Sequence, residues 1–169
     1  MPDEFRAEYE ARLAEPSDIR DHLPELYETV VRYPRAHVVE LGVRTGNSTA
    51  ALLAAVEHVD GHLWSVDIES KISRKVPSWW AATGRWTLFI GDHCSPAILA
   101  EIPGLIDVLF IDTSHAYEHT LAELRLYVPR VSPGVVLCHD TELEVPKGLP
   151  PQPPFPVAKA LTAFCEEAR

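Results

Sequence analysis

An acidic residue stands at the end of each of five apolar stretches in this 169-residue chain. The five are, in chain order, Glu40, Asp67, Asp92, Asp112 and Asp140. Grouped carboxylates can bind divalent cations, hold sugar hydroxyls or exchange protons with a substrate. A solvated loop position explains any one of them equally well. Five together would repel one another, so they predict a site for a cation, a polyhydroxylated ligand or both.

Two histidines accompany the last two acids. His115 follows Asp112 by three residues, and His139 directly precedes Asp140. Histidine is a suitable general base near neutral pH, and beside carboxylates it can also bind a transition metal. Structural roles are equally open at this point: His115 could start a helix, and His139 could be a hydrogen-bonded core residue.

Two glycines follow the first of these acids. The turn from Gly42 to Gly46 separates the strand that ends at Glu40 from an alanine- and leucine-rich helix, which Asn47 or Ser48 opens. Glycine lets a backbone approach a ligand closely, and the free N–H groups of a helix start attract anions. The G-x-x-x-G spacing differs from the G-x-G-x-x-G of dinucleotide-binding proteins, and many α/β proteins need such a turn for purely structural reasons.

Strand and helix patterns alternate along the chain, which predicts parallel strands with helices on both faces of the sheet. The expected fold is an α/β, Rossmann-like, doubly wound, mostly parallel sheet whose strands end at the five acids. Ligands bind beyond the carboxyl ends of such strands. The predicted later strands cover residues 61–67, 86–92, 106–112 and 135–140, with a turn at Ser132-Pro133-Gly134 before the last, and the predicted helices include 49–58, 96–102 and 117–128.

Composition restricts the class of protein. The net charge of −10, without a cluster of lysine or arginine, argues against nucleic acid or an anionic membrane as partner. The three cysteines, Cys94, Cys138 and Cys165, lack metal-binding spacing and are typical of reduced thiols. Neither a bilayer-spanning apolar run nor a signal-peptide pattern is evident, so we expect a cytoplasmic protein.

Five sequence motifs, taken in order, resemble class I S-adenosylmethionine-dependent methyltransferases. They are Glu40 to Thr49, Asp67, Gly91-Asp92, Asp107 to Tyr117 and Val135 to Thr141. More narrowly, the chain is similar to methyltransferase family 24 and to small metal-assisted O-methyltransferases. This resemblance implies S-adenosyl-L-methionine as cofactor and methylation of a small-molecule hydroxyl. The alternatives are a non-catalytic S-adenosylmethionine-binding or interaction module and an NAD-dependent oxidoreductase.

The resemblance also implies roles on the donor side. The amino-acid end of the donor would lie over the glycine turn, Asp67 would accept the ribose hydroxyls, and Asp92 with His93 would flank the adenine. Glu40 would orient the turn or meet the donor's ammonium. The cofactor-binding residues implied in this way are Glu40, Gly42, Thr45, Gly46, Asn47, Ser48, Asp67, Asp92, His93 and Asp112.

On the acceptor side, the resemblance implies that Asp112, His139 and Asp140 bind a divalent cation such as Mg²⁺, Mn²⁺ or Ca²⁺. His115 stands where relatives often carry a lysine near the acceptor, so it is expected to be catalytic together with Asp112. Ser114 stands where relatives often carry a second acid, which weakens the prediction of a metal.

One methyltransferase-like domain is expected over residues 1–169. It divides into N-terminal helices (1–35), a cofactor-binding core (36–141), a proline-rich loop (145–156) and a C-terminal helix (157–169). The loop is either a stiff connector or a substrate lid. Relatives generally add sixth and seventh strands, for which this chain offers no residues. The fold is then minimal, truncated or completed by a partner, and an open sheet edge predicts a homo-oligomer.

Overall fold

A computed structural model describes residues 2–69, 76–141 and 156–168. Within these residues five strands form one parallel sheet in the order β3-β2-β1-β4-β5. The strands are β1 (His37–Leu41), β2 (His62–Asp67), β3 (Trp86–Ile90), β4 (Ile106–Ile111) and β5 (Val131–Cys138). The predicted α/β, doubly wound fold is confirmed. Strand order reverses between β1 and β4, and ligands of open α/β sheets bind in the crevice beyond such a reversal.

Helices cover both faces of the sheet and form two hydrophobic cores with it. Each strand feeds both cores because successive side chains point to opposite faces. Val38 packs into the core beneath α1, α2 and α3, and Val39 into the core beneath α5, α6 and α7. The helices are α1 (Pro2–Ala14), α2 (Leu23–Val30), α3 (Asn47–His58), α4 (Trp79–Ala82), α5 (Pro96–Glu101), α6 (Tyr117–Tyr127) and α7 (Pro156–Glu167).

The turn predicted at Ser132-Pro133-Gly134 is wrong. These residues lie inside β5, which begins at Val131 and pairs there with Ile106 of β4. A register shift between Ile106 and Val108 lets the strand continue through them. The local turn composition is therefore overridden by pairing with the neighbouring strand, a tertiary contact that a local pattern does not contain.

The start of α3 also differs from the prediction. The helix begins at Asn47 rather than Thr49, directly after Gly46, whose backbone is left-handed. Two further predictions can be compared with the structure only within the described residues. Residues 145–155 of the proline-rich loop lie outside them, and no helix inside them combines the length and the apolar character that a membrane span requires.

Candidate functional site

The glycine turn fits tightly against its own neighbours. Gly42 has a φ of +93°, and a Cβ added there would lie 2.0 Å from the backbone oxygen of Asp112. At Gly46, with a φ of +81°, an added Cβ would lie 2.7 Å from Cγ1 of Val76. Packing within the protein thus already requires both glycines. This is the structural role that the sequence left open beside the approach of a ligand.

Glu40 lies beneath this turn as a fully buried carboxylate. It accepts hydrogen bonds from the hydroxyls of Ser48 (2.7 Å), Thr49 (2.9 Å) and Ser65 (2.6 Å). Burial raises the pKa of Glu40 to about 7, although the three hydroxyls oppose this rise. Of the two roles expected for Glu40, these contacts match the one that orients the turn. They also engage the hydroxyl of Ser48 inside the protein.

Asp67, at the end of β2, holds the glycine turn from the other side. Its Oδ2 accepts backbone N–H bonds from Val43 (2.8 Å) and Arg44 (3.0 Å), and its Oδ1 accepts one from Glu69 (2.7 Å). The carboxylate remains partly exposed. Since each carboxylate oxygen can accept more than one hydrogen bond, capacity for ligand hydroxyls is left.

Thr45 in the turn and Asn47 directly after it differ in how accessible they are to a ligand. Thr45 is exposed. Asn47 is half-buried, and its Oδ1 accepts a hydrogen bond of 3.0 Å from Nη1 of Arg12 on α1. Helix α1 therefore reaches the start of α3, a contact across 35 positions of sequence that no local pattern announces.

The loop after β3 separates the two residues that were expected beside adenine. Asp92 accepts a 2.8 Å hydrogen bond from the backbone N–H of Cys94 and shapes the loop. His93 is buried, and its Nε2 lies 2.8 Å from Nε2 of His119 on α6. The ring of His93 therefore contacts α6, whereas the exposed Asp92 remains accessible from the sheet edge.

Four side chains that the sequence marked for the acceptor side lie together beyond β4 and β5. Nε2 of His115 lies 3.0 Å from Oδ1 of Asp112, and its Nδ1 lies 3.2 Å from Oδ2 of Asp140. Nδ1 of His139 lies 3.5 Å from Asp112 and 3.4 Å from Asp140. One potential ligand atom from each of Asp112, His115 and Asp140 falls within a 4.8 Å span.

Asp112, His115, His139 and Asp140 form an acid–histidine group, in which the charge of each residue depends on its neighbours. Burial raises the pKa of Asp112, but the imidazoles of His139 and His115 outweigh it, so the pKa stays below its ordinary value. Asp112 in turn raises the pKa of His139 by more than burial lowers it, and Asp140 adds to the rise. The group thus holds an ionised Asp112 and favours positive charge close to it.

Three residues at this edge have a left-handed backbone although they are not glycine. They are Arg44 (φ 53°), His115 (φ 55°) and Asp140 (φ 54°). Such conformations cost free energy and are found most often where the surrounding structure fixes side chains for function. In these conformations the side chains of His115 and Asp140 are in contact, 3.2 Å apart.

A cleft of about 890 Å³ opens beside the acid–histidine group, between the start of α2 and the end of β5. This volume lies within the range of small-molecule sites. The described lining contains four carboxylic acids and no lysine or arginine: Asp18, Asp21, Glu25 and Asp140. The ring of His22 lies 5.5 Å from that of His139 at the same wall.

Three residues at this site, Asp18, His22 and Arg44, were not predicted from the sequence. Arg44 forms an ion pair with Asp18, which fixes the loop before α2 against the glycine turn. Asp18 and His22 then line the cleft. Asp18 and His22 are far from the strand ends along the chain, so motif spacing gave no signal for them. Arg44 lies inside the glycine turn, but its partner Asp18 is 26 positions away.

Known proteins share the fold that carries this site. A family model described as a methyltransferase domain, that of methyltransferase family 24, matches residues 39–141. The fold is similar to that of the O-methyltransferase TomG from Streptomyces achromogenes, solved with S-adenosylmethionine (TM-score 0.63, 19% identity, 90% of this chain and 69% of that chain). It is also similar to the methyltransferase PaMTH1 from Podospora anserina, solved with S-adenosylhomocysteine (TM-score 0.63, 16% identity, 83% of this chain and 63% of that chain).

A third similar structure is the fibrillarin from Aeropyrum pernix with bound S-adenosylmethionine (TM-score 0.59, 12% identity, 83% of this chain and 59% of that chain). The chain thus spans less than two thirds of the length of PaMTH1 and of this fibrillarin. The matched residues 39–141 run from β1 through the end of β5 and contain the glycine turn, Asp67 and the acid–histidine group. Since the match covers more than half of the chain, the protein belongs to methyltransferase family 24.

Proposed function

We propose that this protein is an S-adenosylmethionine-dependent methyltransferase that methylates a hydroxyl group of a small molecule. The observation that carries the proposal is the acid–histidine group of Asp112, His115, His139 and Asp140. It lies beyond β4 and β5: Asp112 follows β4, next to the strand-order reversal, and His139 and Asp140 line an open cleft. Membership of the family and the fold shared with donor-bound structures support the same conclusion.

On the donor side, the protein's task is to bind and orient. The turn from Gly42 to Gly46 supplies a backbone surface beside the crevice, and Asp67 offers its remaining acceptor capacity to the ribose hydroxyls. Glu40 keeps the turn in place from below. Bound S-adenosylmethionine supplies a methyl group on a sulfonium, so the chain itself needs no covalent intermediate.

On the acceptor side, the hydroxyl takes the place of Asp140 at Nδ1 of His115, the longer of the two ring contacts, and this nitrogen takes its proton. The oxygen forms its bond to the methyl carbon as the carbon–sulfur bond breaks, which leaves a methyl ether and S-adenosylhomocysteine. The imidazolium produced at His115 lies between Asp112 (3.0 Å) and Asp140 (3.2 Å). Two carboxylates therefore stabilise the charge that the reaction creates, and positioned general bases contribute about 10²- to 10⁴-fold in rate.

The residues present also fit a divalent cation. Asp112 and Asp140 offer carboxylate oxygens, the donors that Mg²⁺, Ca²⁺ and Mn²⁺ prefer, and one imidazole can complete the set. That imidazole is His115 or His139, since Nδ1 of His139 lies 3.5 Å from Asp112 and 3.4 Å from Asp140. Such a cation lowers the pKa of an acceptor hydroxyl.

The charge of the cleft restricts the acceptor. Carboxylic acids line it, with neither lysine nor arginine in the described lining, so an acceptor that carries a carboxylate or phosphate would be repelled. The proposal is thus for a neutral or cationic hydroxyl compound, such as a sugar, a polyketide or a phenol.

A panel of such acceptors tests the proposal. Formation of S-adenosylhomocysteine is measured with each acceptor, with added Mg²⁺, Mn²⁺ or Ca²⁺ and with a chelator. We expect turnover with at least one neutral hydroxyl compound and its loss in Asp112→Asn. The matched control is Asp107→Asn, which alters an acid at the opposite end of β4 that binds the backbone N–H of His37. Donor binding without turnover on any acceptor would favour the non-catalytic binding module, and NAD binding in place of the donor would favour the oxidoreductase.

A further inference from the structure

A second group of potential metal ligands lies away from the acid–histidine group, where the loop after β3 meets α6. His93 and Cys94 come from the loop, and His119 and Glu123 come from successive turns of the helix. One ligand atom from each of His93, Cys94 and His119 lies within 4.8 Å of the others. Oε1 of Glu123 lies 2.7 Å from Nε2 of His93 and 3.5 Å from Nε2 of His119.

Two side chains of this group are more deeply buried than is usual for polar residues. The side chain of Glu123 is 0% exposed and that of His93 is 8% exposed. Neither carboxylate oxygen of Glu123 has a hydrogen bond of acceptable geometry among the described residues, and Nδ1 of His93 has none either. Burying a carboxylate without hydrogen bonds costs several kcal/mol in general, and proteins therefore pair such groups or bind a metal with them.

The donor atoms match one class of metal. Two imidazole nitrogens, one thiolate sulfur and one carboxylate oxygen form a four-ligand set of the kind that binds Zn²⁺ tetrahedrally. The thiolate and the carboxylate together supply two negative charges, which neutralise the ion inside the protein. The acid–histidine group beyond β4 and β5 differs because it offers carboxylates and imidazoles without sulfur.

We propose that His93, Cys94, His119 and Glu123 form a structural Zn²⁺ site that fastens the β3–α5 loop to α6. The two Nε2 atoms now lie 2.8 Å apart, and tetrahedral coordination at ordinary Zn–N distances separates them by about 3.3 Å. A small rotation of the rings supplies the difference. His119 is one third exposed and Cys94 is half-buried, so the ion can enter from the surface without unfolding.

This site fixes the segment that also carries Asp92. The hydroxyl of Tyr127 on α6 already donates a 2.8 Å hydrogen bond to the backbone oxygen of His93, so the loop and the helix are in contact without the ion. Zinc adds a bond between the same two elements. The proposal does not depend on the methyltransferase activity, because it concerns folding and metal affinity alone.

Cobalt substitution tests the site in the 169-residue chain. After treatment with a chelator, the protein is titrated with Co²⁺, whose tetrahedral thiolate complexes give intense visible bands and a near-ultraviolet sulfur-to-cobalt charge-transfer band. We expect both in the wild type, displacement of Co²⁺ by Zn²⁺, and loss of the charge-transfer band in Cys94→Ser. Cys165→Ser, at an exposed cysteine, and Asp112→Asn, in the other group, are expected to keep the band.

A second measurement uses a position that tolerates change. His119→Gln, at a one-third-exposed side chain, is expected to fold as judged by circular dichroism and to show a smaller rise in melting temperature with Zn²⁺ than the wild type. The proposal is overturned if the wild type shows no sulfur-to-cobalt band, or if that band persists in Cys94→Ser. The acid–histidine group is present in both proteins, so the smaller rise in His119→Gln measures this site alone. The proposal is equally overturned if Zn²⁺ stabilises His119→Gln as strongly as the wild type.

Discussion

The buried carboxyl of Glu40 makes the stability of this protein depend on pH. Its pKa is about 7 in the folded chain because burial disfavours the charged form, whereas its unfolded value is 4.5. Below both values the carboxyl is protonated in either state. Between them the unfolded chain has released a proton that the folded chain keeps, so the unfolding free energy falls as pH rises through this window.

We therefore expect Glu40→Gln to remove one component of the pH dependence. Between about pH 5 and about pH 8 the wild type should lose about 2–3 kcal/mol of unfolding free energy relative to this variant. Urea denaturation of both proteins at the two pH values measures the difference, and the contributions of Asp112 and His139 cancel because both proteins contain them. An equal pH dependence in the two proteins would remove Glu40 as the cause.

At Asp67 the expected effect is on donor affinity. Replacing it with Asn retains an acceptor for the backbone N–H groups of Val43 and Arg44 but removes the negative charge offered to the ribose. Calorimetric titration with S-adenosylhomocysteine should show a loss of about 1–3 kcal/mol, the usual cost of losing a charged hydrogen-bond partner. Asp107→Asn serves as control. Equal affinity in wild type and Asp67→Asn would reject the ribose assignment.

His115 is expected to affect turnover and not donor binding. His115→Gln should lower kcat by about 10²- to 10⁴-fold, since it removes the proton acceptor between Asp112 and Asp140. Stopped assays and donor titrations are compared with those of His58→Gln, at the far end of α3. Wild-type turnover in the His115 variant would leave the residue as the helix-start residue that the sequence also allowed.

The glycine turn is in close contact with the residue that follows β4, and this contact limits the size of the side chains that the turn can accommodate. Gly42→Ala should destabilise the fold more than Gly84→Ala, although both glycines have positive φ. An added Cβ at position 42 lies 2.0 Å from the backbone oxygen of Asp112, whereas none of the described atoms lies within 4 Å of one at position 84. We expect an excess cost of about 1–3 kcal/mol in chemical denaturation, the usual range for overpacking. Equal costs would show that the contact with β4 relaxes freely.

The strands could be predicted from sequence because each is an apolar run that ends at an acid. Alternation with helices then fixed their parallel arrangement, and the carboxyl ends of β4 and β5 brought Asp112 and Asp140 together as the motif order implied. The start of β5 could not be predicted in this way. Ser132 to Gly134 has turn composition, and only pairing with Ile106 of β4 extends the strand through it.

The contact of His93 with α6 also lay beyond the sequence. It joins residues 26 positions apart in the chain, and adenine-side motifs placed His93 facing the ligand. One local signal was present: His119 and Glu123 are separated by four residues, so they share one face of a helix. The adjacent pair His93-Cys94, at the end of a strand, supplies the other half of that signal.

Two features of the whole molecule are relevant to its function: the net charge and the open edges of the sheet. The net charge of −10 and the acidic lining of the cleft agree in disfavouring anionic partners. Within the described residues, β3 and β5 form the two edges of the sheet, and Ile90 on β3 is 43% exposed. A homo-oligomer through such an edge remains our proposal for assembly.

Association of the wild-type chain can be followed by light scattering during size-exclusion chromatography at several concentrations. We expect a species of two or more copies whose share grows with concentration, because unpaired strand edges favour pairing with another chain. A single monomeric mass at every concentration would contradict this expectation.

The proposed function requires that this fold bind S-adenosylmethionine at the reversal between β1 and β4. Isothermal titration of the wild-type protein with S-adenosylhomocysteine, followed by competition with NAD, measures this binding. We expect saturable binding at one site per chain that NAD does not displace. Absence of binding to the donor product, or binding of NAD in its place, would contradict it.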